Sequence, residues 1–233
     1  MREQLTGRTA LVTGSISGIG LAIARKLAEE GARVALHGLG SAEQIAEAIA
    51  AVTAAGSPEV RFFDGDLTDV AAIDRLMDAV AAWGGADILV NNAGIQKTVS
   101  FEEATPEVWN AIIAVNLSAA FHTMRRALPE MAKKGFGRVV NIASVHGLVA
   151  SVNKGPYVAS KFGLVGMSRV AALEYAAKGS RASGGITVNC ICPGWTETPL
   201  IEPQIEAKAA AHGGDRAAGV RELLREKQPN LTL

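Results

Sequence analysis

The run Thr9-Ala10-Leu11-Val12-Thr13-Gly14-Ser15-Ile16-Ser17-Gly18-Ile19-Gly20-Leu21 reads as a strand, a glycine turn and a helix start. Arg8 to Val12 is short and largely apolar, as a strand covered on both faces must be. Leu21, Ala24, Leu27 and Ala28 then keep helical spacing up to Gly31. Glycines at such a turn let the backbone approach a pyrophosphate, and the helix N-terminus offers free N–H groups and a favourable dipole. The spacing is Gly-x-x-x-Gly-x-Gly rather than Gly-x-Gly-x-x-Gly. Without a following Gly-Lys-Ser/Thr it is not a Walker motif. Gly20 is placed for close packing of the helix on the strand.

Outward from this unit, strand and helix patterns alternate. Apolar strand-like runs lie near 8–13, 33–37, 59–63, 87–91, 137–143 and 186–192. Helical patterns lie near 18–30, 41–55, 69–83, 105–133, 157–178 and 199–227. This order predicts an α/β fold, a doubly wound parallel sheet of the Rossmann type with helices on both faces. No repeat or linker interrupts it, so one domain, 1–233, is expected. Ligands in such folds bind beyond the carboxyl ends of the strands.

The chain has 233 residues, with Lys+Arg and Asp+Glu both 23 and a formal charge of zero. That balance supplies no field for nucleic acid or an acidic membrane surface, and neither partner is expected. No apolar run approaches the ~20 residues that span a bilayer. Met1-Arg2-Glu3-Gln4 lacks signal-peptide character. A cytoplasmic location is expected. Cys190 and Cys192, the only cysteines, sit at i and i+2 and read as buried free thiols rather than a disulfide or a zinc site; no metal is expected.

Tyr157 and Lys161 lie four apart, one turn on one helix face. A neighbouring ammonium favours a phenolate and lowers the phenol's pKa from ~10. Such a pair exchanges a proton near neutral pH, as a general acid/base must. Ser144, upstream, can donate to the same substrate oxygen.

The glycine turn and the Tyr-x-x-x-Lys run, in this order, resemble the short-chain dehydrogenase/reductase family over nearly the whole chain. Asp66-Leu67, Asn91-Asn92-Ala93-Gly94, Asn116 and Pro193-Gly194 also match. The resemblance implies a nicotinamide cofactor on Gly14, Ser15, Ser17, Gly18, Ile19 and Gly20. It adds Asn92, Ala93 and Gly94 beside the cofactor, and Pro193, Gly194 and Trp195 after the sixth strand. Leu39 could pack beside adenine, and Asp66, next to Leu67, could accept from its amine. The resemblance implies Asn116, Ser144, Tyr157 and Lys161 as the catalytic group. Tyr157 and Lys161 also bind the cofactor, and Asn116 holds a water that links Lys161 to solvent.

Within that family, Gly94-Ile95-Gln96, Ser144 to Ala150, Asn153-Lys154, Pro193-Gly194-Trp195, Gln204-Ile205 and Glu226-Lys227-Gln228-Pro229 look like the D-3-hydroxybutyrate dehydrogenases. This implies a small hydroxy-acid or keto-acid substrate. Gln96, His146, Lys154, Trp195 and Gln204 would hold it beside Ser144 and Tyr157. A short acid has little apolar surface, so its carboxylate needs a charged anchor. Residues 196–225 are expected to form a helical lid. The second strand ends Leu36-His37-Gly38-Leu39 with neither an acid for a ribose diol nor an Arg for a 2′-phosphate. The absence of a basic pair, with the resemblance, points to NAD over NADP.

Two segments depart from the family. Residues 178–185, Lys178-Gly179-Ser180-Arg181-Ala182-Ser183-Gly184-Gly185, read as an exposed loop away from the chemistry. The chain also stops at Leu233, where relatives usually continue with another helix and a seventh strand. The strand near 186–192 is then expected to be an edge, and a dimer or tetramer, expected by resemblance, is put in doubt. Rival expectations are an NADPH-dependent 3-oxoacyl reductase or a sugar or steroid dehydrogenase. A truncated, inactive cofactor-binding protein is the third.

Overall fold

The computed structural model describes residues 4–225 and 228. They fall into two compact units that divide after Cys192, three residues before the expected lid begins. The first unit holds six strands: β1 Thr9–Val12, β2 Arg33–Leu36, β3 Val60–Phe62, β4 Ile88–Asn91, β5 Phe136–Ile142 and β6 Gly185–Ile191. They form one sheet in the order β3-β2-β1-β4-β5-β6, every pair parallel. The doubly wound parallel sheet predicted from the alternation is therefore present. The strand order reverses between β1 and β4, which is where such sheets open a crevice for a ligand.

Helices cover both faces: α1 Gly18–Glu29 and α2 Ala42–Ala54 on one, α3 Val70–Ala82, α5 Ala119–Lys134 and α6 Gly155–Tyr175 on the other. Alternate strand residues feed the two layers, as the period of two requires. Ala10, Val12, Val34, Leu36, Ile88 and Val90 pack with Ala24, Ala28, Ala48 and Val52. Leu11, Leu89 and Val139 pack with Ile73, Leu76, Met124, Leu128 and Met131. β1 and β4 are buried at every residue, which is why both read as unbroken apolar runs.

A polar chain crosses the second layer and ties α6 to the sheet. Thr123 Oγ1 donates to Asn91 Oδ1 (2.7 Å), Asn91 Nδ2 to Asn141 Oδ1 (2.8 Å), and Asn141 Nδ2 to Ser168 Oγ (2.7 Å). Ser168 Oγ donates to Leu164 O (2.6 Å), so every member has a partner. A satisfied buried network of this kind fixes one register for the helix.

The helix read over 105–133 is broken in the structure. α4 Pro106–Ile113 and α5 are joined by a π-turn, Ala114–Ser118. The widened turn leaves the apolar spacing nearly continuous, which is why the sequence shows one helix. The pattern near 157–178 is α6, which starts two residues earlier and ends at Tyr175. β6 is an edge strand, as expected, with Ile191 half exposed. The glycine-rich stretch 178–185 is mostly exposed and lies at the amino end of β6, opposite the carboxyl ends; Ser183 Oγ donates to Gly135 O (2.7 Å) there. Cys190 and Cys192 are free but only partly buried, a correction to the buried reading, because an edge strand covers one side less.

In the second unit the single pattern near 199–227 is two helices, α7 Glu202–Ala210 and α8 Arg216–Arg225. Gly213 and Gly214 have φ of +65° and +89°, a left-handed turn that no continuing helix allows. α7 and α8 pack closely at Gly219, where a Cβ would stand 2.7 Å from Ala209 N. Arg216 binds Glu202 and Lys208 binds Glu222 across the pair. Gln228 clasps Trp195: its Oε1 accepts from Trp195 N at 2.8 Å. Glu226, Lys227 and Pro229 lie outside the described residues. Among the described residues no helix is long and apolar enough to cross a membrane.

Candidate active site

The glycine turn is built as the sequence proposes. Gly14 and Gly18 have φ of +61° and +54°, the left-handed region that favours glycine. A Cβ on Gly14 would stand 2.8 Å from Ala93 Cα. One on Gly20 would stand 2.1 Å from Gly14 O and 2.4 Å from Asn92 Nδ2. Asn92 explains the tightness: its Nδ2 donates to Thr13 O and Gly14 O at 3.0 and 2.8 Å. Thr13 Oγ1 in turn accepts from Asn92 N and Ala93 N. The two turns after β1 and β4 are therefore one braced unit at the sheet's switch point.

Helix α1 starts at Gly18 with Ser17 as N-cap, and the Ser17 side chain makes no capping bond. Its first N–H groups are left for an anion, and these residues fit a dinucleotide pyrophosphate. Ile19 follows in the first turn. Ser15 does not face that anion site. It is fully buried and bonded both ways to His37: its Oγ donates to His37 O and accepts from His37 N. Ser15 braces the turn.

Leu39 is 77% exposed just beyond β2. Asp66 Oδ1 accepts from Thr68 N and Oγ1, both at 2.8 Å, so the carboxylate caps its own loop, and those bonds hold its pKa below the usual range. Leu67 is buried behind it.

The residues expected to be catalytic sit on α6 and the segments beside it. Tyr157 and Lys161 are both buried on one face of α6, one turn apart. Ser144 follows β5 and accepts from His146 N at 3.1 Å, which fixes its hydroxyl. Ser144 also bonds the Tyr157 side chain. His146 is buried and stands edge-on to Tyr157, ring centroids 6.3 Å apart. Its Nδ1 lies 3.4 Å from Val149 O.

Lys161 corrects the expected electrostatics. Its Nζ donates to Ile142 O at 2.9 Å and lies 5.7 Å from the Tyr157 ring centroid. Burial pushes its pKa down to about 8, against weaker opposing pulls from Cys190 and Cys192. Burial likewise raises the Tyr157 phenol above its ordinary value, and the Ser144 bond offsets only part of this. Desolvation therefore dominates both groups. Lys161→Met is accordingly expected to cut turnover by about 10²-fold or more, while thermal unfolding shows no lower midpoint. The change removes a buried charge and keeps its volume.

Asn116 occupies the π-turn and is 1% exposed. Its Oδ1 accepts from Ile95 N (2.8 Å), and its Nδ2 donates to Ile95 O (2.9 Å) and Ser160 Oγ (3.2 Å). Both amide hydrogens are engaged, so the side chain braces the Gly94-Ile95 segment against α6. A Cβ on Gly94 would come 3.4 Å from Asn116 Oδ1 and 3.6 Å from Lys161 Nζ. The Asn-Asn-Ala-Gly turn thus passes close to Lys161.

Lys154 is the N-cap residue of α6 and only 6% exposed. Asn153, before it, has φ +57°, the one positive φ outside glycine among the described residues. Its carbonyl accepts from Val99 N at 2.7 Å, joining the loop after Gln96 to the start of α6. Gln96 Nε2 donates to Thr98 Oγ1 (3.1 Å). The remaining expected residues, Pro193, Gly194, Trp195 and Gln204, belong to the second unit, Gln204 on α7.

Sequence reading missed Thr13, His37 and Ser160. Thr13 and His37 directly follow strands β1 and β2, where the carboxyl ends place ligand-side groups, and that position was the available signal.

Comparison with known proteins agrees with this geometry. The family model described as short chain dehydrogenase matches residues 8–209. A D-beta-hydroxybutyrate dehydrogenase of Cupriavidus necator is 49% identical over 97% of this chain and 85% of its own length. One of Rhizobium meliloti is 47% identical over 95% and 84%. The crystal structure of levodione reductase superposes with a TM-score of 0.85 at 32% identity, covering 98% of this chain and 85% of that one. The tyrosine, lysine and serine on and beside α6, set against a glycine turn that fits a dinucleotide, are the arrangement of an oxidoreductase, and the chain belongs to the short-chain dehydrogenase family.

Proposed function

We propose that this site oxidises (R)-3-hydroxybutyrate to acetoacetate, reversibly, with NAD. The observation that carries the reading is a lysine, Lys154, buried to 6% exposure at the start of the helix that holds Tyr157. A cation kept there suits a short carboxylate, which otherwise would bind weakly. The names of the two bacterial relatives give the same substrate.

In the oxidation, Tyr157 takes the hydroxyl proton while the adjoining carbon gives up hydride. Bound nicotinamide supplies the hydride acceptor. Ser144 donates to the substrate oxygen as its charge develops. Lys161 binds the cofactor's ribose and favours the phenolate once the site is loaded. His146 and Gln96, on the same unit as Tyr157, orient the acid. NAD is favoured because Ser15, Gly38 and Leu39 bring no cation to the end of β2, and His37 is buried there. A 2′-phosphate would need one.

The proposed assembly is a cytoplasmic homo-oligomer. Phe162, Gly166, Val170 and Leu173 follow one stripe of α6; the three large side chains are exposed, and a Cβ on Gly166 meets open space. Such a stripe favours a second copy of the chain.

Lys154→Ala tests the anchor. The KM for 3-hydroxybutyrate is expected to rise about 10- to 100-fold, the value of a charge-assisted hydrogen bond. Turnover of an uncharged secondary alcohol should change little. Equal losses on both substrates would remove Lys154 from carboxylate recognition.

A further inference from the structure

His37 follows β2 at the position where nucleotide-binding sheets of this kind place a carboxylate for the ribose. Here the side chain is turned inward and is 2% exposed. Both ring nitrogens are occupied. Nε2 lies 2.8 Å from Gly65 O. A carbonyl only accepts, so Nε2 carries the proton. Gly14 N–H points at Nδ1 from 3.5 Å, so Nδ1 offers its lone pair. The backbone is engaged as well: Ser15 N donates to His37 O at 2.7 Å, and His37 N donates to Ser15 Oγ at 3.0 Å. One residue therefore joins the glycine turn to the loop after β3, and it does so in a single tautomer.

We propose that His37 is the positioning residue of the dinucleotide cradle, holding the Gly14 turn in its binding geometry only while the imidazole is neutral. The proposal rests on reading that turn as the cofactor site. Its physical basis is the donor arrangement. A proton added at Nδ1 would face the Gly14 N–H, donor against donor, and the turn would lose its tie. The turn from Thr13 to Gly20 has no ionisable side chain, and neither has β1 beneath it. The charged group acting on the ring is Asp64, from the loop after β3, which favours the imidazolium. Burial acts the other way and more strongly, so the His37 pKa lies below its ordinary value. A histidine whose folded pKa is depressed contributes stability that is present above the unfolded value of ~6.5 and lost as pH falls below it. Cradle affinity follows the same sign.

The experiment measures the dissociation constant of NAD by calorimetry from pH 8 to pH 5, with no substrate present. The full chain, His37→Asn and His37→Phe are compared, each with its thermal unfolding. For the unaltered chain the constant is expected to rise about tenfold on acidification, one net hydrogen bond. His37→Phe is expected to bind about tenfold more weakly at pH 8, with that dependence lost. A merely structural histidine would lower the unfolding midpoint but leave the pH profile parallel, and that result overturns the proposal. Should the variants fail to fold, the His37 ring is titrated by NMR in the unaltered chain. Binding that selects the neutral ring must lower its pKa when NAD is added, and an unchanged pKa also overturns the proposal. A folded chain that binds neither NAD nor NADP at any pH sinks the cofactor reading itself, and the proposal with it.

Discussion

Tyr157→Phe is expected to bind NAD still and to turn over about 10²–10⁴-fold more slowly, the usual contribution of a general acid/base. The ring is buried on α6 and keeps its packing against His146 when only the hydroxyl is removed. Binding and stability should therefore survive, and kcat should carry the loss. The pH dependence has a definite sign. Alcohol oxidation needs the phenolate, the form present above the phenol's pKa. Burial raises that pKa, so the oxidation rate is expected to keep climbing on the alkaline side of neutrality. Carbonyl reduction needs the phenol and should fall over the same range. Steady-state rates in both directions, with NAD affinity measured separately, check this. A variant that retains turnover assigns the proton to another group.

Gly20→Ala should have the second large effect, on binding and stability together. A methyl there would sit 2.1 Å from Gly14 O and 2.4 Å from Asn92 Nδ2. Neither neighbour can retreat cheaply. Gly14 O is the acceptor of Asn92 Nδ2, and Asn92 N is held by Thr13 Oγ1. Overpacking of this kind costs about 1–3 kcal/mol, which in a chain of this size lowers the midpoint by about 2–12 °C. The displaced turn should also weaken NAD binding by at least about tenfold. Gly166→Ala, on the α6 stripe proposed to meet a second copy, is the contrast for NAD affinity and for the stability of the single chain. Its Cβ meets nothing within 4 Å on α6, so the gain in helix propensity of up to about 1 kcal/mol should dominate. Calorimetry and thermal unfolding of the two variants separate a general glycine effect from one at the cradle.

Much of this was legible in the chain because local chemistry wrote it there. Thr9–Val12 is apolar at every position since β1 is covered on both faces. Gly14, Gly18 and Gly20 are glycines because the turn needs left-handed backbone or a missing Cβ. The i, i+4 spacing of Tyr157 and Lys161 survives as one buried face of α6. Other features depend on depth or partners, which spacing does not encode. The π-turn at Asn116 preserves the apolar period, so the sequence shows one helix where two stand. Lys161 reads as a cation that lowers a neighbouring phenol's pKa, but the burial of each group raises the phenol's value and lowers the ammonium's. His37 occupied a position where sequence logic looks for an acid or a base, and only the fold shows it turned beneath Gly14.

The most direct test is the appearance of reduced nicotinamide when the purified chain meets NAD and (R)-3-hydroxybutyrate, with the (S)-enantiomer and NADP in parallel. Rapid reduction is expected with the (R)-acid and NAD, and slow or no reduction in the other combinations. No reduction of either dinucleotide by the (R)-acid, or activity confined to long acyl thioesters with NADPH, would contradict the proposed function.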